Sequence, residues 1–459
     1  MGAFRDLMVF GIVMLALPLS FRRPFLGLLV FSWLAYMRPQ DLCWGFARDM
    51  RLSFYVGMAM IAGWWANERG RRPFAKWDLR SWLMLVLGTL VILSYVQART
   101  QDDYVTRYLF EFLKIIVIAL FTSGQVNTKE RLRVMMLTIA VCLAFYGVKG
   151  GVFGILTGGA TILRGPGGML EDNNDFALAM VMNVPLLWYL GSSEGHRRWL
   201  RRASRIAIIL TTMTVLLTQS RGAFLALVAV AVWIAWRSGH LVRASMGLLV
   251  CVMAFFVFAP RSVIERMSTI GDTSESSASA RLTSWKVAFR MIEGNPVFGV
   301  GVRNFQSRYR DYAQVAKVDS STTYVAHNSY LQIWAESGTI AFAIYLVLLF
   351  SVFFSCSRIF RMGKARADMR WAMDYARMME ATTVGFMVGA VFLNRGHFDL
   401  LYHWLALVTS FSAIGLALWL KPPVAEASGR GNNVVTVRHR APFGAVPVMV
   451  GRTQPKWGR

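Results

Sequence analysis

His327 lies in the stretch YVAHNSYLQIWAESG, from Tyr324 to Gly338, between a long polar, Ser-rich segment and an apolar run. An imidazole titrates near neutrality, so it serves as a base or as a polar ligand group. Its structural alternative is a cap at a helix start. If a helix begins here, Tyr330, Leu331 and Trp334 fall near its face, three, four and seven residues on from His327. Glu336 either orients another chain or solvates the mouth of the helix. Spacing reveals no Ser-His-Asp arrangement.

Arginines are the second candidate group. Arg221 sits in TQSRGAFLAL between two apolar runs, where a charge is costly unless paired or in a polar cavity. Gly222 and Ala223 leave room for a close approach. Arg164 lies in ILRGPGGMLEDNNDF, a loop shaped by Pro and Gly, with Asn173 and Asn174 capping the next helix. Arg281 opens RLTSWKVAFRMIE, and Arg303 follows NPVFGVGV. Snorkelling and loop solvation are the bland alternatives for these side chains. Guanidinium groups offer paired donors and stay charged, which suits phosphates. Arginines around one histidine therefore describe a cavity for a poly-anionic head, such as a lipid diphosphate whose tail lies between helices. The imidazole would take the proton of an attacking hydroxyl, and the arginines would meet the charge left on the departing diphosphate.

Other motifs are excluded. VFGVGVRNF and the Gly-Pro-Gly-Gly at 165–168 lack the strand–turn–helix context of a nucleotide loop. Asp172, Asp175, Asp272, Glu275, Glu293 and Asp311 form no D-x-D pair or clustered set, so neither a metal nor another cofactor is expected. Cys43, Cys142, Cys251 and Cys356 are spread singly, with no CxxC pair, and indicate neither zinc nor disulfides.

The elements that must position these residues are membrane helices. The 459-residue chain is 55% hydrophobic and only 16% charged, where soluble domains carry about 25% charge. Its net charge of +25 is concentrated in short links between apolar runs, so topology explains it and a nucleic-acid partner is not expected. Apolar runs recur along the chain at 6–20, 24–37, 52–66, 81–97, 107–122, 131–148, 173–190, 204–218, 222–236, 243–259, 339–356, 376–394 and 400–419. They predict an all-α integral membrane protein with about 12 transmembrane helices.

Basic links at 69–80, 197–205 and 358–370, with the tail, fall on one side when crossings are counted. By the positive-inside rule that side is the cytoplasm. Residues 1–260 then form N-terminal transmembrane helices with short loops, 261–326 a large periplasmic loop, 327–420 C-terminal transmembrane helices, and 421–459 a basic cytoplasmic tail. Segment 281–293 has helical periodicity and is expected as an amphipathic helix near the membrane surface. The tail's charge suits contact with anionic membrane lipids.

Four stretches carry a family likeness: LRGPGGMLEDNNDFA at 163–177, TQSRGAFLAL at 218–227, RLTSWKVAFRMIEGNPVFGVGVRNF at 281–305 and HNSYLQIWAESG at 327–338. With them the chain resembles the bacterial O-antigen ligase and polymerase superfamily. The opening SFRRPFLGLLVFSWLAYMRPQ at 20–40 looks like a subgroup labelled O-glycosylation ligases. The resemblance implies a GT-C-like membrane fold in the bacterial inner membrane, with its active site facing the periplasm. It implies inverting, metal-independent transfer of a glycan from undecaprenyl diphosphate to lipid A–core oligosaccharide. His327 matches the family's base, and Arg221 and Arg281 match its diphosphate-binding arginines. Arg164 matches the arginine of the preceding outer loop. Asn174, Arg303, Tyr330, Trp334 and Glu336 join the expected substrate-binding set. A polymerase or a protein O-oligosaccharyltransferase shares the donor and differs in acceptor, and a lipid-linked sugar transporter is the alternative of another class.

Overall fold

The computed structural model describes residues 2–193, 198–238 and 276–422. The apolar run at 243–259, the first part of the long loop, and the tail beyond Pro422 lie outside the described residues. The described chain is helical throughout, and its only β-type pairing is an isolated bridge between Arg164 and Asp172.

The expectation of about 12 membrane helices in a GT-C-like arrangement is corrected here. Among the described residues, seven helices are long and apolar enough to cross a bilayer. They are Phe4–Arg22, Leu79–Val96, Lys129–Leu156, Asn173–Ser192, Arg221–Ser238, Ser329–Ala365 and Asp399–Leu420. The remaining apolar runs fall on helices that are short or interrupted by charge. Pro24–Tyr36 has 13 residues and Leu52–Asn67 has 16. Asp103–Gln125 carries Asp103, Arg107, Glu111 and Lys114 in its first half. Arg198–Leu217 opens with Arg198, Arg201, Arg202 and Arg205, and Trp371–Gly389 carries Asp374, Arg377 and Glu380. A run of apolar letters shows where a helix is greasy, not that the whole helix matches the hydrocarbon thickness. The result is a multi-pass helical membrane protein.

Burial separates interior helices from peripheral ones. The most apolar window of Asn173–Ser192 is 83% buried, against 28% for those of Phe4–Arg22 and Arg221–Ser238. Such a buried helix must be packed closely by its neighbours. Two of those neighbours also pack on each other: Lys129–Leu156 sets a glycine face, Gly147, Gly151 and Gly154, against Leu210, Thr211, Met213 and Leu217 of Arg198–Leu217. The Thr214 hydroxyl donates to the Gly147 carbonyl at 2.6 Å. Small residues four apart allow this backbone approach where lipid supplies no hydrophobic drive. Charges within the bundle are paired: Arg237 meets Glu380 at 2.7 Å, and buried Arg80 meets Asp78 at 2.8 Å and the Ser355 hydroxyl at 2.6 Å.

The helix Ser329–Ala365 is kinked at Gly338, whose φ of +86° is open chiefly to glycine. The segment 295–301 docks into that kink. Thr339 N–H donates to Pro296 O at 2.8 Å, Val300 N–H to Ala335 O at 2.8 Å and Gly301 N–H to Glu336 O at 3.1 Å. A satellite core forms here, apart from the main one. Val287, Ala288 and Met291 of the helix Ser276–Gly294 bury against Phe305, Tyr309, Ala326 and Ala335.

Candidate active site

His327 is held from both sides. The helix Ser276–Gly294 grips the residues before it: Ser284 Oγ donates to Val325 O at 2.7 Å, and Trp285 Nε1 to Ala326 O at 3.1 Å. Arg281 lies three and four residues before these donors, on the same helix face. After His327, the Asn328 side chain caps the next helix, accepting from Tyr330 N–H at 2.9 Å and Leu331 N–H at 3.1 Å. The Ser329 hydroxyl donates to Leu393 O at 2.8 Å and accepts from Arg395 N–H at 2.9 Å. Gln332 accepts from Gly396 N–H at 3.2 Å. Between these anchors His327 adopts a φ of +46°. A non-glycine residue keeps such a conformation only where its surroundings over-determine it.

The imidazole lines a cavity of about 220 Å³. Arg281, Arg303 and Arg395 line it too, as do Asp172, Asn174 and Asp175. His327 is half-buried, and burial lowers its pKa from the ordinary 6.5. The Arg281 charge lowers it further, against a smaller opposing pull from Asp172. The ring is therefore neutral, the state a base requires.

Arg303 is set by aromatic and acidic neighbours. Its guanidinium lies 4.5 Å from the Tyr108 ring centroid and hydrogen-bonds the Tyr104 hydroxyl. Buried Glu336 accepts from the backbone N–H groups of Arg303 and Phe305, and Gln332 Nε2 donates to it at 3.4 Å. Glu336 is thus a positioning residue for the Arg303 segment and does not line this cavity. Behind Arg303, the Tyr108 hydroxyl meets His397 Nδ1 at 3.0 Å. Burial, with help from Arg303, depresses the His397 pKa to about 3 and keeps that ring neutral. Arg395 Nε donates to buried Asp175 at 2.6 Å. Burial alone disfavours the Arg395 charge, but the Asp175 carboxylate more than offsets it.

Of the residues singled out in the sequence, His327, Arg281, Arg303 and Asn174 are brought together here. Arg221 does not line the cavity. It begins the helix Arg221–Ser238, next to Gly222, which packs on the cavity-lining Phe392. Arg164 is exposed and also stands outside the lining. Tyr330 donates to Met387 O at 2.8 Å, and Trp334 stacks on Phe342 with centroids 4.6 Å apart; neither lines the cavity. Sequence reasoning missed Arg395 and the pairing role of Asp175. The signal for the first was NRGHFD at 394–399, which fell in the short gap between the last apolar runs. Among the described residues no group of three or more His, Cys, Asp or Glu side chains is arranged to hold a metal ion.

A family model described as O-antigen ligase matches residues 206–346. Over that segment the chain is similar to the O-antigen ligase family. The O-antigen ligase match contains Arg221, Arg281, Arg303 and His327. A second model, described as a family of unknown function, matches residues 4–194 and contains Asp172, Asn174 and Asp175. Arg395 lies outside both matches. No curated protein matches the chain.

Proposed function

We propose that this chain is an O-antigen ligase, which moves a glycan from undecaprenyl diphosphate to a sugar hydroxyl of lipid A–core oligosaccharide at the periplasmic face of the inner membrane. The observation that carries the reading is the shared cavity, where a neutral imidazole stands beside guanidinium groups. His327 takes the proton of the acceptor hydroxyl. The acceptor oxygen bonds to the anomeric carbon as the bond from that carbon to the diphosphate oxygen breaks. The electron pair leaves with undecaprenyl diphosphate, and a single displacement inverts the anomeric centre. Arg281 and Arg303 meet the developing charge, with Arg221 reaching the distal part of the head group and Arg164 at the rim. Guanidinium donors supply the positive charge, so the step is metal-independent.

Orientation is supported without any count of crossings. The helix Leu79–Val96 starts at a basic link, and just beyond its other end Thr100 N–H donates to Asn304 Oδ1 at 3.0 Å. The helix Arg198–Leu217 begins with arginines and ends at the turn before Arg221. The helix Ser329–Ala365 starts beside His327 and ends among Arg358, Arg361 and Lys364. In each case the basic end is opposite the site, which favours a periplasmic site under the positive-inside rule.

The test is transfer by the purified full chain from lipid-linked glycan, with lipid A–core, protein and free glycan acceptors side by side. Covalent product on lipid A–core is expected. Product on protein or on the growing glycan alone would move the chain to a different acceptor class. Translocation without covalent product would make it a transporter.

A further inference from the structure

The cavity has a second wall whose support lies in the N-terminal region. Arg38, in the stretch AYMRPQD, has a φ of +47° and forms an ion pair with Asp41. The preceding carbonyl, Met37 O, accepts from the Tyr146 hydroxyl at 2.5 Å. Onto this pair sits the loop 164–172. Gly168 covers the Arg38 guanidinium so closely that any Cβ would overlap it, and a Cβ at Gly167 would lie 2.6 Å from Asp41 Oδ2. Both glycines have positive φ, +120° and +53°.

That loop behaves as one piece, because its backbone groups satisfy each other. Gly165 N–H donates to Glu171 O at 2.9 Å, Leu170 N–H donates to Gly167 O at 3.0 Å, and Arg164 bridges to Asp172. Asp172 Oδ1 then accepts from Asn174 N–H at 2.8 Å and from its Nδ2 at 3.1 Å. Displacing the loop at Arg38 therefore shifts Asp172 and its bonds to Asn174 at the start of the next helix. Arg281, Arg303 and His327 hang from the satellite core instead.

We infer that Arg38 and Asp41 are positioning residues for an acceptor subsite in which Asp172 and Asn174 bind hydroxyl groups of the acceptor sugar. The inference rests on the transfer reaction proposed above and deepens it. Carboxylate and amide side chains offer the acceptors and donors that paired sugar hydroxyls require. In a single displacement the nucleophile and leaving group lie on opposite sides of the anomeric carbon. With the diphosphate on the arginine wall, the acceptor approaches from the Asp172 wall, and Asp172 is close enough to His327 to act on its charge.

Two variants of the full chain test this, with undecaprenyl-diphosphate-linked glycan as donor and lipid A–core as acceptor. Arg38→Ala removes the support, and Gly168→Ala disturbs the same contact from the loop side, forcing the loop and the Arg38 guanidinium apart. Each is expected to raise the acceptor KM about tenfold and leave the donor KM unchanged, as misplacement of a binding group does. Arg38→Lys, which keeps a cation beside Asp41, should recover part of the loss. If Arg38→Ala does not fold, Gly168→Ala alone decides. Unchanged acceptor KM, or acceptor and donor KM rising together, would overturn the acceptor subsite and leave the transfer reaction standing. No transfer to lipid A–core by the unaltered protein would overturn both.

Discussion

On one side of the cavity, Arg281, Arg303 and His327 hang from a small core of their own, knitted by Ser284, Trp285 and the kink at Gly338. By contrast, Asp172 ends a glycine loop seated on Arg38 and Asp41, and it bonds Asn174 in the first turn of the helix Asn173–Ser193. The first wall belongs to the stretch matched by the O-antigen ligase model, the second to the stretch matched by the family of unknown function. Charge differs as construction does, since the first group is cationic, while Asp172 and Asn174 offer carboxylate and amide groups beside the Asp175–Arg395 pair. A displacement reaction needs such asymmetry, because leaving group and nucleophile make opposite electrostatic demands. The contrast also shows why a match to part of a chain describes only part of a site.

The comparison breaks most sharply at His327. His327→Ala should lower transfer by about 10²- to 10⁴-fold, the usual worth of a general base, with donor binding retained. Covalent product measured with purified donor and acceptor checks this, and near-normal turnover would put the base elsewhere. Arg303→Ala should lower kcat by about 10²-fold, through lost charge stabilisation. Arg303→Lys should restore little, because an ammonium lacks the planar fork that lies over Tyr108. Full activity of the Lys variant in the same assay would show that point charge suffices.

Asp175→Asn probes the tie between Arg395 and the helix Asn173–Ser193. It removes the partner of a guanidinium whose side chain is 32% exposed, so roughly 1–3 kcal/mol of stability should be lost, less than for a fully buried pair. Thermal unfolding of the purified protein reads this, and an unchanged midpoint would make the pair dispensable. The smallest effect concerns pH. A base works above its pKa, and His327 is shifted below 6.5 by burial and by Arg281. The acid limb of kcat/KM should therefore lie below 6.5, and Arg281→Gln should move it upward. A limb that stays in place would separate Arg281 from the imidazole.

Much of the cationic wall was legible because it is local. RLTSWKVAF places Arg281, Ser284 and Trp285 on one helical face, and HNSYL places a cap directly after the histidine. The partners of Glu336, Tyr330 and Trp334 were not legible, because they come from Arg303, Met387 and Phe342. Arg395 was overlooked because NRGHFD looked like a plain link between apolar runs, while its carboxylate partner Asp175 lies 220 positions earlier. The helix count erred for a related reason. Apolar runs were counted without weighing their lengths or the charges on the same helix.

The sequence by itself determined that this is a helical membrane protein, and it marked a histidine and several arginines as candidates, because hydropathy and side-chain chemistry are properties of short stretches. Only the tertiary structure decided which arginines share a cavity with the imidazole and which residues face them. Those are matters of long-range packing: Arg38 beneath Gly168, Arg395 on Asp175, the loop 295–301 in the kink of the helix beside His327. Pairings between residues so far apart in the chain leave no period or motif along it.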